Sequence, residues 1–159
     1  MILVTGATGF VGKAIVNSLL ADKEASVAVA VRRSGEKWPV GVDEHVLGEL
    51  TASADWSTTF VNVTAVVHCA ARVHVMQDKV ADPLAEFRQV NSEGTLNLAR
   101  QAAAAGVKRF IYLSSIKVNG ESTEEGLSFT PEDKFIPEDP YGLSKYEAEQ
   151  GLLALAAET

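Results

Sequence analysis

Short apolar runs rich in β-branched residues alternate along the chain with segments of helical periodicity. This alternation is typical of βαβ units around a parallel sheet. The runs at 27–31 and 65–67 carry no polar alternation, as expected of strands that helices cover on both faces. The pattern predicts five strands, which are Ile2–Thr5, Ser26–Val31, Glu44–Leu47, Ala65–Ala70 and Phe110–Ser114.

Helical spacing predicts helices at Phe10–Ala21, near Ser53–Phe60, at Pro83–Ala105 and at Tyr141–Glu158. In the first helix, positions 11, 15, 18 and 19 share the face expected to pack on the sheet. Segments 33–42 and 120–140 carry the glycines and prolines of loops, and the acidic residues of the second favour a solvated loop. We therefore predict one α/β domain over residues 1–159, a doubly wound, parallel, Rossmann-like sheet with strand order 3-2-1-4-5.

Composition excludes several classes of protein. The chain has 159 residues, 47% of them apolar, and a formal net charge of −7, which argues against a general binder of nucleic acid phosphates. Cys69 is the single cysteine, so an internal disulfide is excluded and a reducing compartment is expected. The histidines lack the paired spacing of zinc ligands, and no apolar run is long enough to cross a membrane. We expect a cytoplasmic protein with no metal, no nucleic acid partner and no membrane segment.

The first predicted strand leads directly into Gly-Ala-Thr-Gly-Phe-Val-Gly at 6–12 and then into a helix. Gly6 permits a tight turn, Gly9 lets backbone amides approach a diphosphate, and Gly12 allows the helix to pack closely on the sheet. The helix N-terminus offers unpaired N–H groups to an anion. The order of strand, turn and helix favours a dinucleotide site over a merely structural turn. The residues predicted to contact the cofactor are Gly6, Thr8, Gly9, Phe10, Val11 and Gly12.

The end of the second predicted strand bears on the choice of cofactor. About 20 residues past the last glycine, an NAD site usually places an acid on the ribose hydroxyls. Arg32 and Arg33 stand there instead. Because guanidinium groups suit a 2′-phosphate, the predicted cofactor is NAD(P), with NADP favoured over NAD. Two solvent-facing arginines at a strand end are the alternative interpretation.

Tyr141 and Lys145 stand on one face of the last predicted helix, so their side chains are expected to meet. A neighbouring ammonium favours the phenolate form of a tyrosine, which makes Tyr141 a candidate general acid and base. Ser114 and Ser115 end the fifth predicted strand, at the edge where parallel sheets bind ligands, and a hydroxyl there can bond a substrate oxygen. Taken singly, these features are usually an exposed surface pair and a turn.

With these motifs in this order, the chain resembles the extended short-chain dehydrogenases/reductases, the branch of the nucleotide-sugar epimerases and dehydratases. The resemblance covers the whole chain. It rests on Thr-Gly-Ala-Thr-Gly-Phe-Val-Gly at 5–12, His-Cys-Ala-Ala at 68–71, Val-Asn-Ser-Glu-Gly-Thr at 90–95, Leu-Ser-Ser-Ile-Lys-Val-Asn-Gly at 113–120 and Pro-Tyr-Gly-Leu-Ser-Lys at 140–145.

The resemblance implies roles for particular residues. The catalytic trio would be Ser115, Tyr141 and Lys145, and Lys145 would also hold the nicotinamide ribose. Further residues that the resemblance places at the cofactor are Ala70 and Ala71, which would line its cleft, and Glu49 and Leu50, which match the adenine-contacting turn. Asn91 would support the site from behind, and His74 is a candidate for a substrate contact, the alternative being an ordinary loop histidine.

The resemblance also bears on the reaction. Sugar 4,6-dehydratases of the family carry an Asp-Glu pair directly after the catalytic hydroxyl residue, where this chain has Ile116 and Lys117. Dehydration is therefore disfavoured, and the predicted function is a nucleotide-sugar 4-epimerase of UDP-hexose type. One alternative is an NADPH-dependent 4-keto-sugar reductase of polysaccharide-precursor synthesis. The other is a non-catalytic dinucleotide-binding module.

Members of this family continue past the length of this chain into a substrate lobe. We therefore expect the chain to be the N-terminal part of a longer enzyme, truncated before that lobe and inactive alone, with a nucleotide-sugar as the substrate of the complete enzyme. The edge of the fifth strand would then be uncovered, which predicts a homodimer through that edge.

Overall fold

The computed structural model describes residues 1–22, 24–73, 81–133 and 135–159. Five parallel strands form one sheet in the order β3-β2-β1-β4-β5, which confirms the predicted topology. The observed bounds differ from the predicted ones only at the strand ends. The strands are β1 (Ile2–Thr5), β2 (Val27–Val31), β3 (Val42–Val46), β4 (Ala65–His68) and β5 (Arg109–Tyr112).

The helices are α1 (Phe10–Ala21), α2 (Pro83–Phe87), α3 (Thr95–Ala104) and α4 (Pro140–Glu158), with a short 3₁₀ turn at Ile116–Val118. A π-helical segment, Arg88–Gly94, joins α2 to α3, so the predicted helix at 83–105 is continuous but not uniformly α-helical. Such segments are rare and often mark functional sites.

The short helix predicted near Ser53–Phe60 is wrong, because the backbone there forms turns. Apart from local turn bonds, such as that from the Thr59 N–H to the Trp56 carbonyl at 2.9 Å, several of its backbone groups bond to side chains of α3. The Ala54 carbonyl accepts from Asn97 Nδ2 at 2.8 Å and from Gln101 Nε2 at 2.9 Å, and the Trp56 N–H donates to Gln101 Oε1 at 2.9 Å. Tertiary hydrogen bonds thus replace the helical ones.

Apolar clusters cover both faces of the sheet. One contains Leu3, Val66 and Leu98, and the other contains Val4, Val67 and Val16 of α1. Neighbouring residues of a strand enter opposite clusters because their side chains point to opposite faces. Burying Leu98 alone stabilises the fold by about 1.5–3 kcal/mol.

In α1, Gly12 and Val16 are buried, and Ile15 and Leu19 pack partly buried against the cluster on the sheet, which confirms the predicted face at positions 15 and 19. The predicted face was wrong at Val11, which is 47% exposed, and at Ser18, which is exposed. Since all strands are parallel, the carboxyl ends of β1, β4 and β5 lie at one edge of the sheet, where parallel sheets bind ligands. None of the helices in the described part of the chain is long and apolar enough to cross a membrane.

Candidate active site

The glycine turn after β1 is locked against the end of β4. Gly6 has φ of 66°, and a Cβ placed there would lie 2.6 Å from the Ala70 nitrogen. A Cβ at Gly12 would collide with the Gly6 carbonyl oxygen. The Gly9 N–H donates to that same carbonyl at 3.0 Å, which closes the turn. Side chains at Gly6 and Gly12 are therefore excluded by backbone atoms and not merely by conformational preference.

The start of α1 fits the diphosphate of a dinucleotide. Its N-cap, Gly9, makes no side-chain capping bond, and the first turn carries no acid. The first N–H groups of a helix have no acceptor within it, so they remain available to an anion at its positive end. Thr8 and Val11 are exposed beside them, and Phe10 is 95% exposed. The turn predicted from sequence therefore has both the close backbone approach and the open N–H groups that a diphosphate needs.

A buried histidine connects this turn to the helices. The Ala70 N–H donates to Thr5 Oγ1 at 3.2 Å, and Thr5 Oγ1 lies within hydrogen-bond distance of His68 Nδ1, 2.6 Å away. On the other side of the ring, His68 Nε2 hydrogen-bonds with Thr95 Oγ1 at 2.9 Å. Burial, aided by the charge of Lys145, lowers the pKa of His68 to about 3. The imidazole is therefore neutral, and His68 lies fully buried in the core.

A buried amide holds α4 in place. Asn91, in the π-helical segment, is 1% exposed and donates from Nδ2 to Ser144 Oγ at 3.0 Å and to the Arg72 carbonyl at 3.0 Å. Its Oδ1 accepts from the Arg72 N–H at 2.7 Å. Ser144 stands between Tyr141 and Lys145, so these bonds fix the turn that carries both. This placement agrees with the supporting position that the resemblance implies for Asn91.

The Ser115 turn is joined to the start of α4. Asp139 caps α4, its Oδ1 accepting from the Gly142 N–H at 2.9 Å. Lys117 Nζ lies 3.0 Å from Asp139 Oδ2, and this bond raises the pKa of Lys117. The Lys117 N–H in turn donates to Ser115 Oγ at 3.3 Å. Lys117, which stands where dehydratases of the family carry an acid, here links the two elements that bear the predicted trio.

Lys145 is 2% exposed although its side chain ends in an amine. Nζ donates to the Leu113 carbonyl at 2.7 Å and lies 4.1 Å from the centroid of the Tyr112 ring. Burial lowers the pKa of Lys145 to about 8, against smaller raising effects of Glu149 and Cys69. At neutral pH the group is therefore still mainly an ammonium, close to the point where it loses its proton.

Tyr141 lies half-buried in the first turn of α4. Its ring meets Phe87 edge-on, with 6.1 Å between centroids, and its carbonyl accepts from Ser144 Oγ at 2.7 Å. Ser115 follows β5, and the Lys145 amine of α4 bonds to the Leu113 carbonyl, two residues before Ser115. The predicted contact of Lys145 with Tyr141 stays a prediction.

The side chains of Arg32, Arg33 and Glu49, predicted to contact the adenine and ribose of the cofactor, lie on the exposed rim of the candidate site. Arg32 Nη1 is 3.7 Å from Glu49 Oε1, and both side chains are exposed, as is Arg33. Leu50 is 8% exposed and lies so close to Gly94 that a Cβ there would come within 2.8 Å of its Cγ. The Leu50 side chain is therefore part of the core and does not face a ligand.

Ala70 and Ala71 follow β4 directly and are half-buried, Ala70 against Gly6. His74 lies outside the described residues. Within the part of the chain that the structure describes, no three histidine, cysteine or acidic side chains cluster as metal ligands do.

Sequence reasoning missed several residues that shape this site. Tyr112, Thr95 and Asp139 all contact or support predicted site residues. Asp139 had a detectable signal, since Asp-Pro before a helical run is a common N-terminal signature. Tyr112 and Thr95 act across elements, and no local pattern identifies such pairs.

The chain matches the model of the NAD dependent epimerase/dehydratase family over residues 2–159. A UDP-glucose 4-epimerase of Vibrio cholerae is 52% identical over 161 residues, which cover 99% of this chain and 48% of that protein.

Solved structures of nucleotide-sugar enzymes are also similar to this chain. A UDP-glucose 4-epimerase of Thermotoga maritima with UDP-glucose superposes with a TM-score of 0.81 at 29% identity, over 99% of this chain and 51% of that one. MoeE5 in complex with UDP-glucose and NAD has a TM-score of 0.79 at 32% identity, over 98% and 49%. The chain thus spans about half the length of these relatives. The glycine turn, the sheet and the family match together establish that the chain belongs to the NAD dependent epimerase/dehydratase family, within the extended short-chain dehydrogenases/reductases.

Proposed function

We propose that this chain is the cofactor-binding and catalytic half of an NAD(P)-dependent nucleotide-sugar 4-epimerase of UDP-hexose type. The main observation in support is the buried amine of Lys145. It bonds to the Leu113 carbonyl, two residues before Ser115, and Lys145 lies on the same helix as Tyr141. An ammonium is kept out of water only at a cost, so its burial at this sheet edge supports a chemical role. The Vibrio cholerae relative, a UDP-glucose 4-epimerase, supports the substrate class.

In this proposal, NAD(P), when bound, supplies an acceptor and then a donor for the hydride of the sugar C4. Tyr141 takes the proton of the C4 hydroxyl and returns it after the ketone has presented its other face. Ser115 hydrogen-bonds to the C4 oxygen. Lys145 favours the phenolate of Tyr141 by its charge and holds the nicotinamide ribose.

The cofactor-binding residues in this proposal are those of the glycine turn, the rim and the end of β4, together with two of the trio. They are Gly6, Thr8, Gly9, Phe10, Val11, Gly12, Arg32, Arg33, Glu49, Leu50, Ala70, Ala71, Tyr141 and Lys145. Leu50 contributes through its backbone, because its side chain is buried.

The proposed preference is for NADP over NAD. Arg32 and Arg33 are exposed at the end of β2, where a 2′-phosphate would lie, which supports this preference. The ion pair of Arg32 with Glu49 opposes it, because an acid at this rim suits ribose hydroxyls. Titration of the chain with NADPH and NADH, before and after Arg32→Ala with Arg33→Ala, measures the preference. Loss of NADPH affinity alone supports it, and equal affinities in the unaltered chain would refute it.

A 4-keto-sugar reductase that uses NADPH is the second candidate, favoured by the same two arginines. It shares the trio but consumes its cofactor, whereas an epimerase regenerates it. Stoichiometric loss of NADPH absorbance with a 4-keto-sugar would favour the reductase.

The test of catalysis is Tyr141→Phe in the longer protein to which we propose this chain belongs. We expect conversion of UDP-glucose to UDP-galactose to fall by about 10²- to 10⁴-fold, with cofactor affinity unchanged, because only the proton transfer is removed. An unchanged rate would refute the role of Tyr141, whereas cofactor binding without any conversion by the unaltered longer protein would favour the non-catalytic dinucleotide-binding module. The chain alone is expected to show negligible turnover, since sugar contacts position the reacting carbon.

We further propose a cytoplasmic enzyme that forms a homodimer. β5 (Arg109–Tyr112) is the last strand of the sheet as described, and an edge strand offers unpaired backbone groups to a second copy. Sedimentation over a range of concentrations tests this, and a monomer at every concentration would refute it.

A further inference from the structure

A row of three side chains crosses the sheet from the glycine turn toward α4. Thr5, His68 and Tyr112 are register partners on β1, β4 and β5. Thr5 bonds to His68, whose ring lies 5.8 Å from that of Tyr112 at an interplanar angle of 21°. The Lys145 amine lies over the Tyr112 ring, 4.1 Å from its centroid.

We propose that Tyr112 is a positioning residue for Lys145, holding its buried ammonium on the face of the ring and against the Leu113 carbonyl. The inference rests on the proposed function, in which Lys145 holds the nicotinamide ribose and favours the phenolate of Tyr141. A cation over an aromatic face is attracted by the ring quadrupole, most strongly where water is excluded. The distances and the burial of Lys145 meet both conditions.

The ring of Tyr112, and not its hydroxyl, makes this contact. The hydroxyl is buried and has no hydrogen-bond partner among the described residues. Burial raises the pKa of Tyr112, and the negative charges of Glu149 and Tyr141 raise it further by a smaller amount, so the phenol stays neutral. A hydroxyl without a partner is expected to be dispensable, whereas the ring is not.

Other charged and titratable groups surround the amine. Glu149 of α4 and Cys69 after β4 favour the ammonium, and Tyr141 begins the same helix. His68 is neutral beside the ring, so it adds no competing cation. Leu113 supplies one carbonyl, which leaves the ring face as the remaining contact identified for the amine.

The experiment measures the pKa of Lys145 by NMR on chain labelled with ¹³Cε-lysine, without cofactor, using Lys145→Met to assign the signal. Tyr112→Leu removes the ring and is expected to lower this pKa by about 0.5–1 unit, because the neutral amine then gains relative to the ammonium. Tyr112→Phe keeps the ring and is expected to leave the pKa unchanged. An unchanged or raised pKa in Tyr112→Leu, or an equal shift in both variants, would overturn the proposal.

A second series guards against a misfolded Tyr112→Leu. Phenylalanines carrying one, two and three fluorines at position 112 keep the size of the ring while weakening its quadrupole. A stepwise fall of the Lys145 pKa with fluorine number supports the proposal, and a flat series overturns it. Glu149→Gln serves as the calibration for a purely electrostatic effect. The change that it makes in the Lys145 pKa should shrink with added salt, whereas the change caused by altering the ring of Tyr112 should not.

Cofactor titration of the same variants separates this inference from the proposed function. If the unaltered chain binds neither NADH nor NADPH, the proposed function fails while the pKa result still decides the role of Tyr112. If the chain binds cofactor, Tyr112→Leu should weaken binding and Tyr112→Phe should not.

Discussion

The interior beneath α4 and the loop before it differ in how they satisfy their polar groups. In the interior, buried Asn91 and His68 bond to residues far away in sequence and on other elements. In the loop, the hydrogen bonds are short-range and exposed, as between the Thr130 N–H and Asp133 Oδ2 at 2.7 Å. The first region cannot change without leaving buried groups unpaired, whereas the second exchanges its bonds with water at little cost.

This contrast separates two tasks in the site. The interior determines where the predicted catalytic residues of α4 lie, and the exposed loop leaves room for change in the segment that leads into that helix. Sites that combine a rigid base with variable loops are common, because loops tolerate changes that a packed interior does not.

The largest expected effect is acid sensitivity through His68. Since its pKa is about 3 in the folded chain, the unfolded state alone takes up this proton as the pH falls from about 6.5. The contribution of His68 to the free energy of unfolding is fully present above pH 6.5 and is lost as the pH falls to 3, about 5 kcal/mol in all. Urea unfolding of the unaltered chain and of His68→Gln over this range measures it. Equal pH slopes in the two proteins would contradict the prediction.

A pair of amides compares the two regions directly. Asn91→Ala removes three hydrogen bonds of a buried amide, one of them fully buried, and is expected to lower the free energy of unfolding by about 3 kcal/mol. Asn119→Ala removes one exposed bond, to the Thr130 carbonyl at 3.0 Å, and should cost about 0.5 kcal/mol or less. Denaturant titrations give both values, and similar losses would show that the regions are not distinct.

The smallest effect concerns the ion pair between the regions, Lys117 with Asp139. Lys117→Met is expected to cost about 0.5 kcal/mol of stability, because exposed pairs are screened by solvent. The difference should diminish between low and high NaCl. A larger, salt-independent loss would place this pair with the interior instead.

Much of the fold could be predicted because it depends on local patterns. The apolar runs predicted the strands, and the glycine spacing located the tight turn that Gly6 and Gly12 form. The short helix near Ser53–Phe60 failed because Trp56 and Phe60, both buried, imitate helical spacing while the backbone bonds to α3.

The π-helical segment was not predicted, for a different reason. Its inward residues Asn91, Ser92 and Gly94 are polar or small, so hydrophobic periodicity carries no trace of them. The contact of Lys145 with Tyr112 joins residues on separate elements, and only the tertiary placement of α4 near the end of β5 brings them together. Sequence thus located the candidate residues but not the contacts that orient them.

The close fit of Gly6 against Ala70 limits which substitutions the chain can accept. Because backbone atoms at the end of β4 already occupy the space that a methyl group at Gly6 would need, the glycine turn and the end of β4 cannot shift independently. Under the proposed cofactor preference, directed evolution from one coenzyme to the other should accumulate its changes at the solvent-facing Arg32, Arg33 and Glu49 and leave the glycine turn untouched.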